Sequence, residues 1–181
     1  MKKSFLIWLL MLAFMLTGCA SQPDTQGFIR TEDGYAMQDA PFGCSVDALE
    51  EALGCSMTER ESLWSSYPYE FDDYVTEAGA AEFFGLKGKV DAQFTKNGLY
   101  AVTFTAKGPS DEIDAAYKSV QETFKSAFGS PTSSDTAANT ESVRWVDENT
   151  NTQLMIQLTA SDEQNQLFKF GVVDLTTLQN G

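Results

Sequence analysis

Histidine is absent from the 181 residues of this chain, and cysteine is scarce, with three residues. Without histidine the chain cannot build a Ser-His-Asp or Cys-His catalytic site, a histidine-ligated zinc centre or a histidine pH switch. It also has no glycine-rich phosphate loop and no nucleophile motif. We therefore predict a protein that is not an enzyme and that holds no cofactor and no metal.

Basic residues are few as well, since 12 lysines and arginines stand against 26 aspartates and glutamates. Cleavage after residue 18 would remove Lys2 and Lys3 but no acidic residue. The net charge would then change from −14 to −16. A surface this acidic repels phosphate backbones and anionic headgroups. We therefore expect neither nucleic-acid binding nor peripheral attraction to lipid.

The N-terminus has the pattern of an export signal. Lys2 and Lys3 precede an apolar run from Phe5 to Leu16, which is shorter than the roughly 20 residues of a membrane-spanning helix. The next four positions, Leu16-Thr17-Gly18-Cys19, resemble the lipobox of bacterial lipoprotein precursors: an aliphatic residue, a small residue, Gly or Ala, then Cys. The resemblance implies cleavage between Gly18 and Cys19 and acylation of Cys19.

Acylation of Cys19 would anchor the chain to a lipid bilayer, because two acyl chains hold stably where one binds only marginally. We therefore predict a lipid-anchored protein that faces outside the cytoplasm. Ala20 provides no acidic retention signal, and the choice between an inner, an outer or a single membrane stays open. An ordinary secretory peptide with a chance cysteine, or an uncleaved anchor, is the alternative interpretation.

The sequence divides into three segments: a signal peptide over 1–18, a flexible tether over 19–40 and one folded domain over 41–181. The tether is polar and without periodicity, although its tail, Tyr35-Ala36-Met37, is apolar enough to dock on the domain. The length after cleavage suits a single domain with a sizeable core.

Two amphipathic helices are predicted in this domain. The first runs from Ser45, a good N-cap, to Leu53, and Gly54 ends it. The second covers residues 111–128, with Ser110 as its cap and Gly129 at its end. Its apolar stripe has spacings of three and four residues and consists of Ile113, Tyr117, Val120, Phe124 and Phe128.

Seven segments have the alternation of half-buried strands: 69–75, 81–86, 89–94, 100–106, 142–146, 153–159 and 166–174. The order α-β4-α-β3 is a weak internal duplication. It predicts an α+β fold with a single antiparallel sheet of about seven strands, two helices on one face and a polar, open second face. The first two strand segments are expected to pair through Glu77-Ala78-Gly79.

The hairpin around Lys96-Asn97-Gly98 can form in two registers. A two-residue turn at Asn97-Gly98 would scatter the bulky residues over both faces of the sheet. A three-residue loop gathers them on one face through three pairs, Phe94 with Tyr100, Ala92 with Val102, and Val90 with Phe104. We therefore predict the three-residue loop.

Four short motifs carry a further resemblance: Phe42-Gly43-Cys44-Ser45 through Leu53-Gly54, Phe94-x3-Gly98-Leu99-Tyr100, Phe128-Gly129-x-Pro131, and Trp145. Over most of residues 41–175 the chain resembles extracytoplasmic modules typified by the β-lactamase inhibitor protein and by the small outer-membrane assembly lipoprotein of the Bam complex. The resemblance implies a fold and transfers no binding residue.

An aromatic run in the least regular part of the domain supplies the candidate binding residues Trp64, Tyr67 and Tyr69. Aromatic side chains serve as anchors in protein interfaces. They serve equally as core where an irregular loop folds over a sheet, and we favour that interpretation.

Two acidic groups are candidates for other chemistry. Glu70, Asp72 and Asp73 could supply paired carboxylates, but Asp73 is expected to point away from the other two. Residues 147–151 resemble the start of a calcium loop, but positions six and twelve hold Thr152 and Leu158 instead of Gly and Glu. We interpret 147–151 as a polar hairpin turn.

The remaining cysteines, Cys44 and Cys55, flank the first helix, whose length of about 16 Å separates them too widely for a disulfide. A bridge would require that helix to be short or broken. For the domain as a whole we expect a protein-binding or envelope-assembly module. The alternative is a binder of small ligands or cations that uses the acidic surface.

Replacement of Cys19 by Ser tests the lipoprotein assignment. A hydroxyl cannot replace the thiolate that attacks the lipid donor, so the variant should take up no radioactive fatty acid and should accumulate as precursor. The wild-type chain should be labelled. Equal labelling of the two chains, or none in either, would contradict the assignment.

Overall fold

The computed structural model describes residues 23–62, 70–162 and 164–176. Within these ranges the chain forms eleven strands and two helices, and about half of the described residues are in strands. The strands are β1 (Phe28–Thr31), β2 (Gly34–Met37), β3 (Met57–Arg60), β4 (Asp72–Thr76), β5 (Ala81–Phe83), β6 (Leu86–Thr95), β7 (Gly98–Pro109), β8 (Ser133–Ala137), β9 (Thr140–Asp147), β10 (Thr152–Ala160) and β11 (Asn165–Asp174). The helices are α1 (Val46–Leu53) and α2 (Ser110–Phe128).

Nine of these strands form one antiparallel sheet. Its order is β3-β4-β6-β7-β11-β10-β9-β8, and β5 pairs with β6 off this path. Strands β1 and β2 form a separate two-stranded sheet. The predicted fold, a single sheet of about seven strands with two helices on one face, is therefore wrong: the structure is mostly β and contains two sheets.

Strands β1, β2, β3 and β8 were not predicted, because they lack the clear alternation of apolar and polar residues that indicates a half-buried strand. All five residues of β8 are exposed, and only the two end residues of β3 are even half-buried. Alternation between apolar and polar residues arises only where one face of a strand is covered, so polar edge strands carry no such signal. Strands β1 and β2 have four residues each, too few for the pattern to stand out.

The largest correction concerns residues predicted to be a flexible tether. Phe28, Tyr35, Met37 and Ala40 are all buried in the hydrophobic core. The Phe28 ring lies 5.9 Å from that of Phe124 in α2 and 5.4 Å from that of Phe170 in β11, measured between centroids. The prediction of a flexible tether is thus wrong from Phe28 onward, whereas the expected docking of Tyr35-Ala36-Met37 is confirmed, and the folded domain begins no later than β1.

Polar contacts also tie the β1–β2 hairpin to the end of the large sheet. The Tyr35 N–H donates to Thr152 Oγ1 at 2.8 Å, and Arg30 donates to Asp147 Oδ2 through both Nη2 at 2.8 Å and Nε at 3.1 Å. This hydrogen-bonded guanidinium lowers the pKa of the Asp147 carboxyl. Gly34 has a φ of +97°, and a Cβ there would lie 2.1 Å from the Thr152 hydroxyl, so only glycine fits.

Both helices contribute to the core as their apolar stripes predict. In α2 the buried residues are Ile113, Tyr117, Val120 and Phe124, and the helix packs on β7, β10 and β11. For α1, Ser45 Oγ accepts a hydrogen bond from the Ala48 N–H at 3.3 Å, and Gly54 is left-handed. The predicted Ser110 cap is wrong, since α2 includes Ser110 and its N-cap, Pro109, makes no side-chain hydrogen bond.

The β6–β7 hairpin confirms two of the three predicted pairs, Val90 with Phe104 and Ala92 with Val102. Phe94 pairs with Leu99 and not with Tyr100, because the register shifts beyond Gln93. Thr95 pairs with Gly98, so the loop has two residues and not the predicted three. Backbone contacts of residues 43 and 44 accompany this shorter loop. The Gly43 N–H donates to the Leu99 carbonyl, and the Leu99 N–H donates to the Cys44 carbonyl, both at 2.9 Å. The chain before α1 thus holds the tip of β7, and Tyr100 becomes a bulge residue.

Strands β4 and β5 do not pair with each other as predicted. Each instead pairs with β6, and β5 reaches it through a two-residue turn at Phe84-Gly85. Both turn residues have positive φ, 51° and 76°. That combination is typical of a type I′ hairpin turn, which asparagine and glycine usually mark in a sequence. Phe84 is not a typical turn residue, so the turn could not be predicted from the sequence. The Phe84 ring instead packs against Phe124 and Phe170.

Replacement of Phe28 by Ala tests whether the hairpin is part of the domain. Loss of a buried phenylalanine should lower the free energy of unfolding by about 3–5 kcal/mol. Replacement of Ile29, a half-buried neighbour in β1, by Ala is the control and should cost about 1 kcal/mol. Urea denaturation followed by tryptophan fluorescence measures both. A loss under about 1 kcal/mol for Phe28→Ala, as for a tether residue, would contradict the packing.

Candidate functional site

The sequence-predicted site residues lie outside the described residues: Gly18, Cys19, Trp64, Tyr67 and Tyr69. Phe71, which ends the same aromatic run, is described and is buried. It lies on the face of the large sheet opposite the one that packs against α2 and the β1–β2 hairpin. We call this opposite surface the second face.

A small apolar cluster occupies the second face, apart from the main core. Phe71, Tyr100 and Ala101 are buried in it, and half-buried Val173 packs against them. The rings of Phe71 and Tyr100 are stacked, with centroids 5.1 Å apart and planes 26° apart. The bulge at Tyr100 creates this cluster, because the extra residue turns an aromatic side chain away from the core side of β7.

An ion network lies on the same face, across β3, β4 and β6. Arg60 Nη1 contacts Asp91 Oδ1 at 2.7 Å, and Lys89 Nζ contacts Asp91 Oδ2 at 3.2 Å. Gln93 Nε2 donates to Asp73 Oδ1 at 3.2 Å. Sheet register explains the grouping, since Asp73 lies directly opposite both Arg60 on β3 and Gln93 on β6.

Asp73 is the unusual member of this network because its side chain is 0% exposed. Its Oδ2 lies 3.8 Å from Arg60 Nη2 and has no hydrogen bond, and Arg60 Nε is also buried without one. A buried carboxylate is costly unless a charge compensates it. Arg60, opposite Asp73 on β3, supplies that charge.

The structure does not support paired carboxylates for catalysis among Glu70, Asp72 and Asp73. Asp72 is exposed, whereas Asp73 is buried on the second face in contact with Arg60 and Gln93. The predicted opposite orientation of Asp72 and Asp73 is confirmed. Arg60 was not predicted as a partner of Asp73, because β3 has no alternation from which to predict a strand. The alternating Lys89, Asp91 and Gln93 on β6 were the only available signal.

Residues 148–151 connect β9 to β10, so the predicted polar hairpin turn is confirmed. Asp147 accepts a hydrogen bond from the Asn149 N–H at 3.1 Å and pairs with Arg30, so its oxygens are engaged in the fold. Within residues 23–62, 70–162 and 164–176, no three His, Cys, Asp or Glu side chains are grouped to hold a metal ion.

Cys44 and Cys55 are free thiols in the structure. Burial raises the pKa of both thiols, and Glu50 adds to the effect at Cys55. A raised pKa leaves little thiolate at neutral pH, so neither cysteine has the activated environment of a nucleophile.

Comparison with known proteins gives little for this chain. No protein-family model matches it, and no curated protein matches it. A similar solved structure is that of a DUF4309 family protein (YjgB) from Bacillus subtilis subsp. subtilis str. 168. The two chains share 12% identity over 81% of this chain and 88% of that one, with a TM-score of 0.38. In the described part, neither helix is long and apolar enough to cross a membrane.

Replacement of Arg60 by Met tests the charge balance around Asp73. The variant leaves a buried carboxylate without its cation and should lose about 3 kcal/mol of unfolding free energy, measured by urea denaturation. The double variant Arg60→Met, Asp73→Leu should recover to within about 1 kcal/mol of wild type, because no charge is then left buried.

The control for this prediction is Arg144→Met, which removes an ion pair with Asp135, a residue whose side chain is 62% exposed. An exposed pair contributes little, so this variant should lose under about 1 kcal/mol. If the double variant is as unstable as Arg60→Met, the buried carboxylate is not the cause and the interpretation fails.

Proposed function

We propose that this chain is a bacterial lipoprotein, anchored outside the cytoplasm through acylated Cys19, and that its domain binds a protein partner on the second face of the sheet. The role is non-enzymatic, as a binding or assembly module of the cell envelope. The apolar cluster of Phe71, Tyr100, Ala101 and Val173 on that face is the observation that carries the proposal.

The cluster has the composition of an interface anchor. Phe71 and Tyr100 are themselves buried within the chain, so half-buried Val173, which packs against them, is the member of the cluster that a partner can reach directly. Interface hot spots combine central aromatic residues with a surrounding polar rim. The Arg60, Asp91 and Lys89 network supplies such a rim beside the cluster, and Val173 remains partly accessible at its border.

The charge of the chain restricts the partner. With 26 acidic residues, the protein attracts a neutral or basic surface and repels an acidic one. Arg60 and Lys89 are among the few cations of the chain, and both belong to the second face. The network therefore presents both signs of charge at the edge of the apolar cluster, which favours a partner with a defined orientation.

The anchor also restricts where that partner lies. Phe28, the first residue of β1, follows Cys19 by nine positions. Nine residues reach at most roughly 30 Å when fully extended. An acylated Cys19 would thus hold the folded domain close to the bilayer, so we expect an envelope protein at or near the same membrane as partner. The alternative of a cation binder has no such support at Asp147 and Asp162, because Asp147 accepts from Arg30 and from the Asn149 N–H, and Asp162 accepts hydrogen bonds within its own turn.

Site-specific photo-crosslinking in intact cells tests the proposal. A photoreactive amino acid at Val173, on the second face, should give a discrete adduct with an envelope protein. The same residue at Glu122, on the exposed side of α2, is the matched control and should give none. Both variants keep Cys19, so membrane anchoring is equal in the two.

Charge reversal provides the second arm of this test. Lys89→Glu should strengthen the Val173 adduct with a basic partner several-fold, because it replaces the cation that pairs with Asp91 by a second negative charge on the same face. Adducts of equal yield from Val173 and Glu122, or an adduct from Glu122 only, would exclude the second face as the binding surface.

A further inference from the structure

The large sheet ends in two edge strands of different character. At one end, the four-residue β3 carries Arg60, which the ion network holds against the sheet. At the other end, all five residues of β8 are exposed, and among the described strands β8 pairs only with β9. Natural sheets usually guard such an edge with unpaired charge, proline or a bulge.

Strand β8 has none of these guards. It contains no proline, and its pairing with β9 runs without a register shift from Ser133 to Ala137. Its one charged residue, Asp135, is neutralised by Arg144 Nη1 at 3.0 Å. The strand is therefore a regular template, with its one charge held in an ion pair, onto which another extended chain can add.

The hydrogen bonds of the hairpin show which groups this template offers. Ala137 pairs with Thr140 across a two-residue turn. The Asn139 carbonyl accepts from the Ala160 N–H at 2.9 Å, so the backbone groups of Thr140 face β8, not β10. By alternation, the groups of the next residue on β8, Thr136, point away from β9. The N–H and carbonyl of Thr136 thus face outward at the sheet edge.

A cleft of about 160 Å³ adjoins this edge. Thr136 lines it together with Asn139, Glu141, Leu158 and Gln166. The Glu141 side chain is exposed, and Gln166 Oε1 is buried without a hydrogen bond. The cleft therefore combines an exposed carboxylate with one apolar wall, which suits a basic side chain with an aliphatic stem.

We propose that β8 is a docking edge for an extended segment of a partner protein, which adds as a further strand and places a lysine or arginine in the cleft. A residue added opposite Thr136 lies about 4.8 Å from it and has its side chain on the same face, toward the cleft. Its amine or guanidinium is then within reach of Glu141. This site is separate from the second face and does not depend on it.

Charge identifies the occupant as a partner and not as a second copy of this chain. Two copies joined at β8 would bring together two molecules that each carry a net charge of −14 before processing. A basic segment meets the opposite sign at Glu141 and in the field of the whole protein. The order of preference is thus a basic extended segment first, and an acidic one last.

Selection from a phage library of random nine-residue peptides, against the full chain purified in detergent, tests the proposal. Enriched peptides should alternate β-branched residues with a central lysine or arginine. A synthetic peptide of the enriched sequence should bind Thr136→Pro at least tenfold more weakly than wild type, because proline removes the outward N–H. Thr136→Val, which keeps that N–H, is the control and should bind within about twofold of wild type.

Two further measurements guard against a folding artefact. The same peptide with an N-methyl group at its central residue should lose binding to the unaltered protein by a similar factor, because it cannot donate to the edge. Glu141→Gln should weaken the lysine peptide several-fold but leave a norleucine analogue unchanged. Equal binding to wild type and Thr136→Pro, enrichment of acidic peptides, or a wild-type dimer that Thr136→Pro dissociates in sedimentation would each overturn the proposal.

Discussion

Aromatic packing around Phe170 is the interaction on which the domain depends. Among the described residues its ring contacts six others, which come from β1, the β5–β6 turn region, β7, α2 and β11: Phe28, Phe83, Phe84, Phe104, Phe124 and Phe168. Edge-to-face aromatic contacts add to the burial of area and favour particular ring orientations. The N-terminal hairpin, the long helix and the centre of the sheet are thus held at one place.

This packing gives the two faces of the sheet different roles. The face with Phe170 is closed by helix and hairpin, whereas the second face combines a small aromatic cluster with a buried ion pair. The bulge at Tyr100 decides which face its ring occupies, because a change of register by a single position moves a side chain from one face of the sheet to the other. The binding surface that we propose therefore depends on local backbone geometry at a hairpin tip, which residues 43 and 44 hold in place.

The elements that the sequence predicts well are those whose pattern is local. Caps at Ser45 and Gly54 and the stripe of α2 depend on neighbours within a turn or two, and both helices are confirmed. The burial of Phe28 depends on partners up to 142 positions away, and the pairing of Arg60 with Asp73 requires a polar edge strand that has no alternation. The second-face orientation of Asp73 was predictable, but its partner was not. For the same reason neither the tether boundary nor the exposed edge β8 could be seen in the sequence.

The position of the β1–β2 hairpin has a consequence for the order of folding. Its partners, β10 and β11, are synthesised long after it, so the chain must close a loop of well over one hundred residues before the aromatic core is complete. Until then Phe28 lacks its contact with Phe170, and the Tyr35 N–H lacks its acceptor, Thr152 Oγ1. The native domain therefore cannot be completed before β10 and β11 are available, whatever part of the core has already formed.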